Sequence, residues 1–437
     1  MSIVKEILQN VALPKMIPIR QRFSAVELAD PAATLRQQIR RPDISNRIRK
    51  GMKIAVAVGS RGMAEIPLIA RVVIEEIRRL GAIPFIVPAM GSHGGATAEG
   101  QKQVLASLGV TEETAGCPII SSMDVVELGV LDNGLAVLMD KQASQADGII
   151  VINRVKAHNA FSGPVESGLT KIIAIGLGKQ KGADSCHTYG FNHMADMIVA
   201  MTKIKLKRMP FLFGIGTVEN AYDRIAKIEV VPSEAIIEAD KRLLSEAKAN
   251  MPKLLLQPVD VLIVDQLGKE FSGGGMDSHT IGRAATTCVF PAALPPKRLV
   301  VLDITNNSHG NACGMGLADL TTRRLFDKIN FDFTYANNLT STATESGRIP
   351  LIMDNDQLAI QGAVKTCNVP DISKLRMMRI PNSLHLERAF VSESMLAEAQ
   401  ACADITIVGQ AAEMAFDEAG NLGDLGFNTW RAEDNEH

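Results

Sequence analysis

Three of the eight histidines in this 437-residue chain lie in glycine-rich segments that follow apolar runs. They are His93 in AMGSHGGAT, His158 in KAHNAFSG and His187 in GADSCH, and Lys171 lies between the last two. Histidine titrates near neutral pH and can both accept and return a proton, and imidazole also binds late first-row metals. Because α/β proteins place reactive groups in loops that follow strands, we expect the functional site in these segments.

The elements around these residues alternate between strands and helices. Strand-length apolar runs occupy residues 53–59 (KIAVAVG), 84–87 (PFIV) and 148–152 (GIIVI). Helical periodicity covers residues 66–80, and Gly81 follows it, as the C-terminus of a helix prefers. This alternation predicts a parallel sheet covered by helices.

Three predicted strand ends supply the candidate residues. Ser60 and Arg61 follow the first strand, His93 follows the second, and Lys156 and His158 follow the third. Open α/β sheets bind ligands at the carboxyl ends of their strands. Each residue alone is better explained as a surface loop residue. Their joint placement favours a shared site, on the assumption that the three strands are neighbours.

A second cycle of strands and helices follows residue 257. Strands are predicted at residues 259–264, 299–304 and 405–408, and helices at residues 318–327 and 395–403. This repeat of the pattern is typical of a second α/β domain.

The chain is therefore predicted to form two α/β domains, each with a largely parallel sheet covered by helices. The first comprises residues 1–257, with the tail 416–437 as a possible final piece, and the second comprises residues 258–415. We expect the active site in the cleft between the domains, as is common for ligand sites in such proteins.

The composition excludes several classes of protein. A net charge of −2, a pI near 6.5 and the lack of a Lys/Arg-rich run give no nucleic-acid footprint. The longest apolar runs are strand-sized, far short of a membrane span, and the N-terminus does not resemble a signal peptide, so we expect a cytoplasmic protein. The six cysteines are scattered without a CxxC pair, and Cys186 is predicted to be a packing residue.

Two glycine-rich segments are poor matches to phosphate-binding motifs. In residues 163–171 (GPVESGLTK), Leu169 follows Gly168, where a P-loop requires Lys and then Ser or Thr. Residues 91–95 (GSHGG) lack the GxGxxG spacing of a dinucleotide fold. The glycines still allow backbone N–H groups to approach a phosphate, and loop flexibility explains them about equally well.

The ordered set of motifs resembles the nickel-pincer-dependent lactate racemases and their 2-hydroxyacid racemase and epimerase relatives. That family has a Gly-x-His loop, a His before Phe-Ser-Gly, a Lys, and a His sixteen residues after the Lys. This chain has GSH at residues 91–93, HNAFSG at residues 158–163, Lys171 and His187, and 187 − 171 = 16. The resemblance covers most of the chain and is strongest over residues 58–189.

The resemblance implies a role for each residue. Lys171 would form a thioamide bond to the nickel-pincer nucleotide (nickel pyridinium-3,5-bisthiocarboxylic acid mononucleotide), and His187 would bind its nickel. His93 and His158 would flank a small 2-hydroxyacid as an acid/base pair. The implied reaction is a hydride shuttle through a flat 2-keto acid, and cofactor-synthesis proteins are implied partners.

Departures from the family pattern concern the substrate. Lactate racemases carry Asp-His-Thr-Arg-Pro where residues 60–64 read SRGMA, so the carboxylate-binding arginine is displaced. Arg61 can supply the same bidentate grip from two positions earlier, or it is a surface arginine. The segment between the second histidine and the lysine is longer, through residues 164–167, which favours a substrate other than lactate. Gln266 and Lys269 resemble a substrate-facing Gln-x-x-Lys pair of the second domain.

The leading hypothesis is therefore a racemase or epimerase of a 2-hydroxyacid, either lactate-like or larger. One alternative is an oxidoreductase that acts on a 2-hydroxy acid with a nicotinamide cofactor. Another is a non-catalytic protein that binds the nickel-pincer nucleotide.

Overall fold

The structure is a computed structural model, and it describes residues 3–59, 63–288, 290 and 293–423. The chain divides into two compact units: an inner unit, Ser24–Met251, and an outer unit that combines Met1–Phe23 with Pro252–His437. Each described unit contains a largely parallel sheet and packed helices. The predicted α/β fold class is thus confirmed.

The inner unit is built on a five-stranded sheet. Its strands, in spatial order, are Ile83–Pro88, Lys53–Val58, Gly148–Arg154, Phe211–Glu219 and Ile225–Pro232. All neighbouring pairs are parallel except the last. The first three strands are direct neighbours, so the strand ends that lead to the candidate residues do lie at one edge of the sheet.

Alternation along the strand Lys53–Val58 sets the two faces of this sheet. Ile54, Val56 and Val58 belong to one buried cluster. Ala55 and Ala57 belong to the other, which also contains residues of the helix that carries Lys171. Successive side chains of a strand point to opposite faces. The small alanines therefore let that helix pack close to the sheet.

Helices and a small hairpin complete the inner unit. A two-stranded antiparallel sheet pairs Val125–Val130 with Ala136–Asp140. The α-helices of the inner unit that the structure describes are Pro31–Ile39, Pro42–Ser45, Ile66–Arg79, Ala98–Ser107, Glu112–Ala115, Lys141–Ser144, Leu169–Ala174, Lys179–His187, Met194–Arg208 and Ile236–Asn250. The predicted helix at residues 66–80 is confirmed, and Gly81 follows it with a φ of 80°.

The outer unit contains an eight-stranded mixed sheet. Its strands, in spatial order, are Leu351–Met353, Leu320–Thr322, Arg298–Ile304, Val261–Leu267, Met377–Ile380, Arg388–Ser392, Met16–Gln21 and Ile405–Ile407. The first five are parallel to one another, and the remaining pairs are antiparallel.

The first 23 residues group with the C-terminal part of the chain, whereas the sequence predicts them as part of a domain 1–257. Strand Met16–Gln21 lies between two strands of the outer sheet. Gln21 is fully buried, donates to the carbonyl oxygen of Leu386 at 2.6 Å and accepts from the backbone N–H of Leu255 at 2.9 Å. The described part of the tail also contacts this unit, since Gln357 N donates to Gly420 O at 2.9 Å.

The prediction of one helix over residues 318–327 is wrong. A strand, Leu320–Thr322, precedes a short helix, Arg323–Asp327. Thr321 and Thr322 are buried, and their hydroxyls donate to carbonyl oxygens of the neighbouring strand at 2.8 and 2.7 Å. A short buried strand next to a helix has no periodicity of its own, and therefore the pattern did not separate the two.

Six α-helices of the outer unit lie in the described residues: Ile3–Leu8, Ser278–Ile281, Arg323–Asp327, Phe331–Ser341, Asp356–Thr366 and Leu396–Ala401. Across the described part of both units, no helix combines the length and apolar character needed to cross a membrane.

Candidate active site

Lys171 lies in a six-residue helix, Leu169–Ala174, whose first turn is capped by another helix. Asp240 accepts hydrogen bonds from the backbone N–H groups of the first two helical residues, each at 2.9 Å. Gly168 precedes the helix, and a Cβ there would lie 2.1 Å from the Asp240 carboxylate. Burial raises the pKa of Asp240, while the hydrogen bonds it accepts oppose that shift. The start of the helix thus depends on a carboxylate that fits only beside glycine.

The other end of this helix is held by Lys205, whose side chain is fully buried. Its Nζ donates to the carbonyl oxygens of Ile173 and Ala174, both at 2.8 Å. Burial lowers the pKa of Lys205 to about 7. An acidic side chain at the N-terminus and a basic one at the C-terminus both match the helix dipole. The helix is therefore fixed at both ends by groups other than Lys171.

Substitution of Asp240 by alanine is expected to lower the free energy of unfolding by about 2 kcal/mol, because two buried N–H groups lose their acceptor. Chemical denaturation of the purified protein measures this change. Glu238→Ala is the matched control, since Glu238 lies on the same helix with a 76% exposed side chain. The control should change stability by less than about 0.5 kcal/mol. Equal losses in the two variants would contradict the capping role.

Three of the predicted residues gather around two phenylalanines. The His158 ring lies 4.4 Å from the ring of Phe161, measured between centroids, and Lys171 Nζ lies 5.9 Å from the centroid of the same ring. The His187 ring meets the ring of Phe191 edge-on at 5.7 Å. The two phenylalanine rings are 6.5 Å apart. The sequence alone did not assign a role to either phenylalanine, although the first lies in the HNAFSG motif.

His187 is held in one tautomer by its own helix. Its Nδ1 lies 2.7 Å from the carbonyl oxygen of Ala183, which can only accept, so Nδ1 carries the proton. Nε2 then keeps its lone pair, as in a histidine ligand to a metal. Burial lowers the pKa of His187, and the positive charge of Lys171 lowers it further against the opposing hydrogen bond. The neutral imidazole is the form that binds metals.

His158 has the opposite arrangement. The backbone N–H of Ala160 donates to its Nδ1 at 3.1 Å, so the neutral ring carries its proton on Nε2. A half-buried His158 therefore presents an N–H donor in this conformation.

The longer segment, residues 164–167, turns inward around a buried carboxylate. Glu166 is 1% exposed and accepts from the backbone N–H groups of His158 at 2.6 Å and Gly163 at 3.1 Å. Its charge is paired with Lys248 Nζ at 2.6 Å. The Glu166 carboxylate thus binds the N–H group of Gly163, the first residue of the glycine-rich segment 163–171, which agrees with the rejection of a phosphate loop. Its second effect is to fix the backbone of His158.

His93 lies in the loop that follows the strand Ile83–Pro88, and its side chain is exposed. The backbone N–H of Gly91 donates to the carbonyl oxygen of Gly176 at 3.2 Å. Gly176 lies between Lys171 and His187 in the chain. The loop of the first histidine is therefore joined directly to the segment that carries the other predicted residues.

The remaining predicted residues lie elsewhere. Arg61 falls outside the described residues. Gln266 is exposed near the end of the strand Val261–Leu267 in the outer unit. Lys269, also in the outer unit, donates from Nζ to Gly273 O and Asn337 Oδ1, each at 2.5 Å. The structure thus groups the three histidines and Lys171 in the inner unit and these two residues in the outer unit.

Cys186 is a packing residue. Its thiol is fully buried with Sγ 3.5 Å from Met194 Sδ, and burial raises its pKa to about 12. Among the described residues, no group of three or more His, Cys, Asp or Glu side chains is arranged to hold a metal ion.

The fold and these residues define a class: an α/β protein with a lysine and histidines beside the carboxyl edge of a parallel sheet. Residues 5–198 match the family model of the lactate racemase N-terminal domain, and this range includes His93, His158, Lys171 and His187. The part of the chain that carries these four residues is therefore similar to the N-terminal domain of lactate racemase.

One solved structure supports this fold. The lactate racemase apoprotein from Thermoanaerobacterium thermosaccharolyticum is similar with a TM-score of 0.52 and 13% identity, over 84% of this chain and 93% of that chain. A protein from Thermotoga maritima is similar with a TM-score of 0.49 and 12% identity, over 64% of this chain and 72% of that chain. At 13% identity the similarity to the lactate racemase apoprotein shows the fold alone. A comparison with curated proteins finds no match.

Proposed function

We propose that this chain is a racemase or epimerase of a 2-hydroxyacid that works with a nickel-pincer nucleotide. The observation that carries the proposal is the grouping of Lys171, His158 and His187 around Phe161 and Phe191. A lysine for attachment, a neutral histidine for a metal and a histidine for proton transfer are the groups that such a reaction needs from the protein.

The donor set fits the cofactor. Lys171 would supply the amine for the thioamide bond, and its helix is fixed at both ends by other side chains. His187 would supply the protein ligand to nickel through Nε2, because Nδ1 is bound to a carbonyl oxygen. When bound, the cofactor would accept and return the α-hydrogen of the substrate as a hydride.

The histidines would handle the hydroxyl proton. His93 would start as the base that accepts it, and His158 in its imidazolium form would give a proton from Nε2 to the substrate oxygen, which would leave His158 neutral with its proton on Nδ1. That tautomer would be the base for the opposite enantiomer. In both forms Nδ1 carries a proton, so the hydrogen bond from Ala160 N–H would be lost. Arg61 is the proposed partner of the substrate carboxylate, with Gln266 and Lys269 as further substrate-binding candidates.

Intact mass spectrometry and chiral chromatography together test this proposal. Protein produced with the cofactor-synthesis proteins should carry an adduct at Lys171 with one nickel ion per chain, and it should interconvert the enantiomers of at least one 2-hydroxyacid in a panel. Lack of the adduct under these conditions would rule the proposal out. An adduct without racemisation would favour the cofactor-binding alternative, and reduction of an added nicotinamide without an adduct would favour the oxidoreductase.

Substitution of His158 or His93 by alanine is expected to lower turnover by about 10²- to 10⁴-fold and to leave the adduct intact, because each variant loses a positioned proton-transfer group. Rates are measured by chiral chromatography and the adduct by mass. His193→Ala is the control, since His193 is an exposed histidine of the same unit. Turnover at the wild-type level in both variants would refute the acid/base assignment.

A further inference from the structure

The inner unit contains a buried ion pair that the proposed reaction does not use. Lys179 and Asp140 are both 0% exposed, and Lys179 Nζ lies 3.1 Å from Asp140 Oδ2. Burial lowers the pKa of Lys179, and the facing carboxylate opposes this shift. Apolar residues in place of a buried ion pair are often neutral or stabilising. A contribution to stability therefore does not by itself explain why this ion pair is present.

The same lysine is connected to the loop of His93. Its Nζ donates to the carbonyl oxygen of Pro88 at 2.5 Å and to Gln101 Oε1 at 3.0 Å. Pro88 is the last residue of the strand that leads to the loop of His93. Gln101 is fully buried, and its Nε2 donates to the carbonyl oxygens of Gly91 at 2.8 Å and His93 at 3.3 Å. Lys179 thus binds the oxygen of the Gln101 amide, and two carbonyl oxygens of the loop bind its nitrogen.

The charge of Lys179 fixes which way this amide points. An ammonium only donates hydrogen bonds, so it requires the oxygen of Gln101 on its side. The amide nitrogen must then face the loop, where two carbonyl oxygens accept from it. Since Lys179 begins the helix Lys179–His187, the network joins the loop of His93 to the helix that ends at His187.

We propose that Lys179, paired with Asp140 and acting through Gln101, positions the loop of residues 91–97 so that His93 meets the substrate at a fixed place. The role in proton transfer rests on the proposed function. These three are positioning residues, because they act through the loop and not on the substrate.

Hydrogen exchange of residues 91–97, read by mass spectrometry on protein without cofactor, tests the positioning directly. Gln101→Met should raise the exchange rate of this loop about tenfold, because two hydrogen bonds to it are lost. Gln103→Met is the matched control, since Gln103 is exposed on the same helix, and it should leave the rate unchanged. Wild-type exchange in the Gln101→Met protein would overturn the proposal.

A double variant separates positioning from stability. Lys179→Met alone leaves Asp140 as an unpaired buried charge and should lower the melting temperature. The additional change Asp140→Asn removes that charge and keeps an acceptor for Ala143 N, which Asp140 Oδ1 binds at 2.7 Å. The double variant should regain thermal stability while loop exchange stays fast and kcat stays about 10²-fold low with little change in KM. Recovery of loop exchange and kcat together with stability would show a merely structural pair and overturn the proposal.

The two hypotheses fail in different ways. Loop exchange is measured without cofactor or substrate, so it decides the positioning whether or not the loaded wild-type protein racemises a 2-hydroxyacid. A wild-type protein without racemisation would end the proposed function and, with it, the kcat part of the inference, while unchanged exchange would end the positioning even in an active racemase.

Discussion

A Lys171→Arg protein is expected to fold like the wild type and to lose the proposed racemase turnover by at least about 10⁴-fold, given enzymatic accelerations of about 10⁶-fold or more. A guanidinium cannot form the thioamide bond that the proposed chemistry requires. The helix should still form because Asp240 and Lys205 hold its two ends. Intact mass spectrometry should show no adduct in the variant, and chiral chromatography should show no interconversion.

Lys181→Arg provides the control for this substitution. Lys181 is exposed on the helix that ends at His187, so the same chemical change there should alter neither the adduct nor the rate. A variant that lacks Lys171 and still carries the cofactor on the same stretch of chain would disprove the attachment site. A variant that loses its fold would show instead that Lys171 has a structural role that the capping groups do not cover.

The second large effect concerns pH and Lys205. Its pKa in the folded protein is about 7, below the ordinary value of 10.5, because the side chain is fully buried. At a pH between these two pKa values, Lys205 binds a proton in the unfolded chain but not in the folded chain. The free energy of unfolding therefore rises with pH across this window, by up to about 1.4 kcal/mol per pH unit, and this contribution is lost as the pH falls towards 7.

Lys205→Met removes this dependence. The stability of the wild type relative to the variant is expected to increase by about 2 to 3 kcal/mol between about pH 7.5 and about pH 9.5. Denaturation curves at several pH values measure the difference, with Lys203→Met, an exposed lysine on the same helix, as the control. Parallel pH profiles for wild type and Lys205→Met would mean that Lys205 stays charged in the folded protein.

Much of the inner unit is readable from the sequence because its signals are local. The strands at residues 53–58, 83–88 and 148–154 are continuous apolar runs that end in polar or glycine-rich loops, as buried parallel strands do. The spacing between Lys171 and His187 likewise depends on one short stretch of chain. These local patterns were sufficient to predict the parallel strands and the loops that follow them, whereas the adjacency of the three strands was an assumption that the structure confirms.

The residues that hold the site in place have no comparable local pattern in the sequence. Asp240, Lys205 and Lys248 lie 71, 32 and 82 residues from groups that they bind. Each is a charged residue within an otherwise ordinary amphipathic helix, where a solvent-facing position is the usual interpretation. These charged side chains face the interior only because their helices pack against the sheet. No pattern in a single sequence therefore identifies the three residues. The same holds for Gln101, whose neighbours in the chain are polar.

The position of strand Met16–Gln21 has a consequence for synthesis on the ribosome. This strand is made before the inner unit, yet the strands on both sides of it, Arg388–Ser392 and Ile405–Ile407, are made after the inner unit. The inner unit is complete once residue 251 has been made and contains its own core. The strand Met16–Gln21 is therefore made before the inner unit but can be structured only after it, so the inner unit can fold before the outer sheet is complete.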